Sequence, residues 1–224
     1  MTSKKEWQRA RSSEQIELRV AAILDAAGAV FKKESYENVT MLMIAKEAGF
    51  TRSNLYRYFK TREEIFIALF MADVDTWVKQ VVSVFTKEET IELFAQKWSV
   101  VLCQQTRLLE LSPLLAPSLE KNTSADMYRK IKVLLYERIG ELIPVLQKVL
   151  PFMSVDAFFE FFLFHQAFLA GAWPMANYSA MQRSVLDELA LPKLVIDFAA
   201  FYQKSIYMYL SGVVVDRSKD NHIP

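Results

Sequence analysis

Residues 39–59 read VTMLMIAKEAGFTRSNLYRYF and hold two helix starts, at Thr40 and Thr51, with a single glycine between them. The Thr40 hydroxyl can accept a hydrogen bond from the backbone N–H of Met43, one of the donors a helix start leaves unpaired. Val39 and Ile44 flank the cap as an apolar staple. The helix runs through Ile44, Ala45 and Ala48 and stops at Gly49, which can take the left-handed conformation that ends a helix. Phe50, Thr51 and Leu55 repeat the device. A chain that stops at Gly49 and restarts at Thr51 must turn within about one residue, and the small Ala45 and Ala48 let the second helix cross the first closely. This punctuation is that of a helix-turn-helix, so DNA is the expected partner.

The second helix carries suitable groups. Arg52, Ser53 and Asn54 occupy its first turn, and Tyr56 and Arg57 follow on the outer side. In such a motif the N-terminal residues of the second helix reach base edges and flanking groups hold phosphates. Arginine and asparagine can each make paired hydrogen bonds in the major groove, giving about 1–3 kcal/mol of discrimination. Leu55, Tyr58 and Phe59 are assigned to packing. Thr61 and Glu64 have the spacing of a capping box that opens a further helix, whose first turn offers N–H groups to an anion.

The pattern T-x-x-x-I-A-x-x-A-G-F-T-x-x-x-L-Y-x-Y-F followed by K-T-R-E-E-I resembles the DNA-binding domain of the TetR family of bacterial transcriptional regulators, over roughly residues 14 to 70. The family usually has glycine where this chain has Ser53, and proline, serine or threonine, then lysine where it has Lys60, Thr61 and Arg62. The resemblance implies that Thr40, Thr51, Tyr56 and the start of the helix near Arg62 hold phosphates, with Lys60 alongside.

Charge points the same way. Residues 1–62 contain twelve Lys and Arg against seven Asp and Glu, a net of +5, and the remainder carries −4, although the whole chain is only +1. Such asymmetry suits a nucleic-acid-facing end and a neutral or acidic body. Lys4, Lys5, Arg9 and Arg11 precede the first apolar periodicity, where a basic arm could contact phosphates or lie as a solvated tail. Helix one, from about residue 13 to 33, places Ile16, Val20, Ile23, Leu24, Ala27 and Phe31 at helical spacing as the floor of the small domain.

The rest is different material: thirteen of the sixteen Phe lie after residue 62, as do all the Trp except Trp7. Apolar positions recur every three or four residues and strand-like alternation is missing, so the chain is read as all-α. A helix-turn-helix domain over 1–62 joins a larger helical body over 63–224. Helices are expected at 62–85, 88–106, 107–120, 124–149, 154–173 and 192–212. Pro113 and Pro144 should kink or interrupt theirs, since proline removes a backbone donor and crowds the preceding turn.

The segment 154–173, SVDAFFEFFLFHQAFLAGAW, is apolar on nearly every side. Asp156, Glu160, His165 and Gln166 interrupt it, leaving clean stretches well short of the ~20 residues of a membrane span. Such a helix must be covered on several faces. The resemblance implies a homodimer made by the last two helices, with Phe158, Phe162, Leu169, Phe198, Phe201 and Tyr209 as candidates for the interface. Monomer core is the competing assignment for each. Met71, Trp77, Phe94, Trp98, Cys103, Tyr128, Leu135, Phe162 and His165 are on helices that the resemblance places around a central cavity for a small hydrophobic effector. Gln104, Gln105, Arg107, His165 and Gln166 are the polar candidates there.

The combined expectation is a ligand-released repressor, the effector acting on the spacing of two recognition helices through the helix at 62–85. The alternative is a lipid-sensing or partner-binding helical protein in which the helix-turn-helix is not the main activity. An enzyme finds little support. There are two His, with His222 in a polar tail, one Cys and no clustered glycines. No metal site or cofactor is indicated. Cys103 lies in an apolar run and reads as a small core residue before a redox sensor. The polar, basic N-terminus lacks an apolar signal core, which makes the cytoplasm the expected location.

Overall fold

A computed structural model describes residues 4–189 and 196–220, with side chains over 14–189 and 196–215. All regular structure among the described residues is helical: α1 (Lys4–Phe31), α2 (Met41–Glu47), α3 (Arg52–Leu55), α4 (Arg62–Val84), α5 (Ile91–Cys103), α6 (Thr106–Leu111), α7 (Ala125–Val149), α8 (Val155–Ala176), α9 (Ala180–Glu188) and α10 (Phe198–Asp220). The all-α expectation therefore holds.

Thr40, Thr51, Thr61, Thr90, Ser124, Ser154 and Ser179 cap seven of these helices, each hydroxyl accepting the backbone N–H three residues on. The sequence reading missed α9, although Ser179 and Gln182 form a full capping box there. The expected helix over 107–120 breaks into α6, a 3-10 turn at Ser112–Leu114 and a π-helical stretch at Leu115–Glu120. Pro113 opens the 3-10 turn and Pro117 follows in the π stretch. Each lacks the N–H that an α-helix needs. Pro144, by contrast, lies inside a continuous α7. The last helix is described from Phe198, and residues 192–195 of its expected start lie outside the described residues.

The small domain packs α1 against α2 and α4. Ile23, Ala27, Val39, Ile44 and Leu55 are fully buried between them, which supports the staple of Val39 and Ile44, while Phe50 of the second pair is half-buried. Ile16 is a correction: it is 51 % exposed, two turns before Ile23, the first buried residue of α1 among those described. Phe66 of α4 meets the rings of Phe31 and Tyr36 edge-on, at centroid distances of 5.4 and 5.1 Å. Ring pairs in this arrangement are favourable beyond their burial. The backbone over Lys4–Phe31 is helical, so Lys4, Lys5, Arg9 and Arg11 continue α1 and do not form a separate arm. Their side chains, and all of His222, lie outside the described residues.

α4 carries this domain into the body, where it packs on α5, α6 and α7, while α10 packs on α5 and α8. α8 is long and apolar enough to cross a membrane by length and composition. Phe158, Phe161, Phe162, His165, Leu169 and Ala172 of that helix are nonetheless buried inside the protein.

Candidate nucleic-acid interface and effector cavity

The turn between α2 and α3 follows from one residue. Gly49 has φ +70°, a conformation that a Cβ makes costly. Thr40 Oγ1 accepts from Met43 N, and Thr51 Oγ1 from Asn54 N, both at 3.2 Å. Arg52, Ser53, Tyr56 and Arg57 are exposed along α3 and the turn after it, with Asn54 half-buried, while Leu55 is fully buried beneath them. Arg52 Nη2 donates to Tyr56 Oη at 3.1 Å, and its guanidinium lies over the Tyr56 ring at 5.5 Å. Thr51 Oγ1 and Ser53 Oγ are 3.2 Å apart. One exposed strip thus presents a guanidinium, a phenol, an amide and hydroxyls.

Arg62 behaves differently from its expected role. Its Nη1 donates to the carbonyls of Tyr36, Glu37 and Val39 at 3.0, 3.2 and 2.7 Å. Its Nε donates to Glu63 Oε1 at 2.9 Å, and its guanidinium covers the Tyr36 ring at 4.6 Å. The side chain therefore clamps the loop before α2 and is not turned outward to a phosphate. Burial works against ionisation of Glu63, but hydrogen bonds from Arg62, its own backbone and Tyr36 outweigh it and hold the carboxyl below its usual range. The capping box is also corrected: Thr61 caps Glu64 N, but Glu64 Oε2 accepts from Lys60 N at 2.7 Å, one residue upstream of the cap.

In the body, α4, α6, α7, α8 and the non-α segment around Ser112 and Leu115 surround a cavity of about 430 Å³. Trp77, Phe162 and His165 line it, as do Leu135 and Gln166. Phe94 and Trp98 are completely buried behind the wall, Trp98 meeting Trp77 edge-on at 5.1 Å. Cys103 sits apart beside Ser99, and burial pushes its thiol up. Tyr128 is 43 % exposed on the outside of α7, under Lys132. Met71 is buried but does not line it either. Five of the nine cavity candidates thus lie off the cavity, because a helical register does not say which turn faces the gap. Phe70, Val74, Leu108, Tyr136, Ile139 and Phe159 line it without having been singled out. Arg107 belongs to a different contact, pairing with Asp73 and reaching Gly28 of α1. Gln105 donates to Gln80.

The polar part of the wall is ordered from behind. Trp98 Nε1 donates to Tyr202 Oη at 2.8 Å, and Tyr202 Oη is in turn bonded to His165 Nδ1. Burial lowers His165 from an ordinary 6.5 to about 3, so the ring is neutral. Burial raises Tyr202, against the pull of the Trp98 hydrogen bond, so its hydroxyl keeps its proton. Lys132 and Arg138 lie beside the opening, paired with Glu120 at 2.6 Å and with Asp75 and Glu141. Among the described residues no group of His, Cys, Asp and Glu could hold a metal.

The interface candidates divide. Phe158, Leu169 and Phe198 are buried within the chain, which corrects their assignment to a dimer surface. They fill the space between α8 and its neighbours, and α8 is apolar all round, so its pattern alone could not say which face is covered. Phe162 is likewise buried and on the cavity. Phe201 is 43 % exposed, and Tyr209 is half-buried with its ring stacked on Phe164 at 4.5 Å.

A threonine-capped helix-turn-helix joined to a larger helical body is the architecture of a transcriptional regulator. Residues 23–69 match the model of the bacterial regulatory proteins of the tetR family, and residues 71–217 match that of the tetracyclin repressor-like C-terminal domain. The chain belongs to the TetR family. An uncharacterized HTH-type transcriptional regulator, YfiR, of Bacillus subtilis (strain 168) is 37 % identical over 62 residues, which is 28 % of this chain and 30 % of that protein. A TetR regulator from Rhodococcus sp. RHA1 shares the fold at 17 % identity and a TM-score of 0.55, covering 91 % of this chain and 98 % of that one. The fatty acid degradation regulator FadR from Bacillus halodurans does so at 18 % and 0.54, over 86 % and 94 %. FadR from Bacillus subtilis, solved in complex with stearoyl-CoA, does so at 19 % and 0.51, over 86 % and 98 %.

Proposed function

We propose that this protein is a repressor that binds a double-stranded DNA operator as a homodimer and is released from it by a small hydrophobic effector. The observation that carries the reading is the double use of α4. Its first residue, Arg62, holds the loop before the reading helices, and fifteen positions on, Trp77 forms part of the cavity wall. A ligand that shifts the middle of α4 therefore moves the seat of α2 and α3. On this reading residues 1–62 are the reading head and 63–224 the effector and dimer body.

Arg52 and Asn54 read base edges. Thr40, Thr51, Ser53, Tyr56, Arg57 and Lys60 hold phosphates, and Arg62 acts from beneath by fixing the head. Trp77, Phe162 and His165 contact the effector. The dimer forms through the outer faces of α8 and α10, where Phe201, Tyr209 and Met208 offer apolar surface. One α3 reads only a few base pairs, and two related by symmetry read successive turns of the groove. Such a protein works where the chromosome is, in the cytoplasm. An intact head on this fold favours regulation over a lipid-sensing body with an idle head.

The test is a titration of operator-bound protein with effector candidates, stearoyl-CoA first because a solved relative holds it. Ligand should weaken DNA binding by the factor by which DNA weakens ligand binding. Equal DNA affinity with and without a ligand that demonstrably binds would sink the proposal.

A further inference from the structure

Two ring side chains on the cavity wall, Trp77 and His165, each have a nitrogen without a hydrogen-bond partner in the protein. The Trp77 side chain is buried and forms part of the wall, and its indole N–H finds no acceptor within reach. An unpaired buried N–H is costly, and native structures keep few of them. His165 lies against it with the rings stacked, at a centroid distance of 5.4 Å and an interplanar angle of 17°.

The protonation of His165 follows from its neighbours. Indole N–H can only donate, so Tyr202 Oη accepts from Trp98. The remaining contact of that hydroxyl is with His165 Nδ1. If Nδ1 carried the proton, the fully buried phenol would have no acceptor for its own. The satisfied arrangement is Tyr202 O–H donating to Nδ1, which puts the imidazole proton on Nε2. Two other polar side chains of the wall bond to the protein: Ser112 Oγ donates to Leu108 O at 2.8 Å and Gln166 Nε2 to Ser112 O at 3.3 Å.

We infer that the effector is an apolar molecule with an oxygen acceptor in its interior, a carbonyl above all, taken by the indole N–H of Trp77 and the Nε2–H of His165. Trp98 and Tyr202 are positioning residues that fix which imidazole nitrogen donates. This rests on the cavity being the effector site. It adds that pure hydrocarbons are poor ligands for their size, because they would leave both donors unpaired.

The test uses two probes of one skeleton, butyrophenone and butylbenzene, which differ by a carbonyl in place of a methylene. Dissociation constants are measured by calorimetry for the wild-type chain, Trp77→Phe and His165→Phe. Each variant keeps a ring and removes one donor. The ratio of hydrocarbon to ketone dissociation constant should fall about tenfold in each variant, the scale of one buried hydrogen bond. The ratio is taken within one protein, so a loss of stability common to both probes cancels, and either variant suffices if the other folds poorly. A ratio unchanged in both variants would overturn the inference while leaving the cavity as effector site. Binding of neither probe to the wild-type protein would overturn both.

Discussion

Arg62 Nη1 donates to the carbonyl of Val39 at 2.7 Å, so the first residue of the helix that enters the body grips the last residue before the Thr40 cap. The same group reaches the carbonyls of Tyr36 and Glu37. The orientation of α2 and α3 is thereby tied to α4 through a charged donor on three backbone acceptors, a stiffer joint than apolar packing alone. Hydrogen bonds from charged donors contribute about 1.5–3 kcal/mol. Arg62→Ala should therefore destabilise the head by about 2 kcal/mol, seen as a lower urea midpoint, and weaken DNA binding. Arg62→Lys should not restore it, since an ammonium cannot copy the planar fork.

Arg52→Ala and Asn54→Ala should relax sequence preference at particular base pairs, by about 1–3 kcal/mol at each. Tyr56→Phe should weaken binding evenly across sequences, because it removes a hydroxyl that both Arg52 and a phosphate can use. Competition against single-base operator variants separates the two outcomes. An unchanged profile for Arg52→Ala would remove α3 from the groove.

Tyr202→Phe leaves the Trp98 N–H and His165 Nδ1 without their shared partner. Two buried polar groups orphaned together should cost about 2–4 kcal/mol, read from denaturant unfolding. The head is remote from this site, and Arg52 and Asn54 should remain in place.

His165 is neutral in the folded chain at about 3 and ordinary, at 6.5, when unfolded. Between those values the unfolded chain binds the extra proton, so stability falls as pH drops below about 6.5, by at most ~1.4 kcal/mol per pH unit from this group. Above pH 6.5 it contributes no slope. Glu110, raised by burial, works in the opposite direction nearer its own range. Urea midpoints between pH 7 and pH 5 should fall more steeply for the wild-type chain than for His165→Phe.

Gly28 of α1 lies under Arg107, and a Cβ there would come within 2.6 Å of Arg107 Nη1. That guanidinium is held in two hydrogen bonds by Asp73 of α4, so it cannot move aside without loosening the pair. Gly28→Ala should lower the melting temperature by a few degrees, the shift expected of about 1 kcal/mol in a chain of this size. It should also reduce the effect of ligand on DNA affinity. A variant with unaltered coupling would show that the α1–α6 contact is passive.

The head was readable because its signals are local. A hydroxyl, a glycine and an apolar pair within five residues fix a cap or a turn whatever the rest of the chain does, and Thr40, Gly49 and Thr51 behave accordingly. The body was readable only as helices. Phe158 and Leu163 sit five residues apart on one apolar helix, and the first is fully buried while the second is 72 % exposed. Packing of α8 against α6, α7, α10 and the turn at Ser112–Leu114 makes that difference, and no periodicity encodes it. Trp98 and Tyr202 are 104 positions apart in sequence, so their bond, and the proton it assigns to His165, could not be read from spacing. Arg62 stood near a phosphate only because the resemblance put one at the start of its helix, and only the fold brings three carbonyls to its side chain.

The most direct test of the account selects bound sequences from random DNA and then measures anisotropy of the selected duplex at two salt concentrations, with and without an effector that binds the cavity. Enrichment of a two-fold symmetric site is predicted, with affinity that falls steeply with salt as counterions are released and falls again when ligand is added. No enrichment, or a selected site whose affinity ignores a bound ligand, would contradict it.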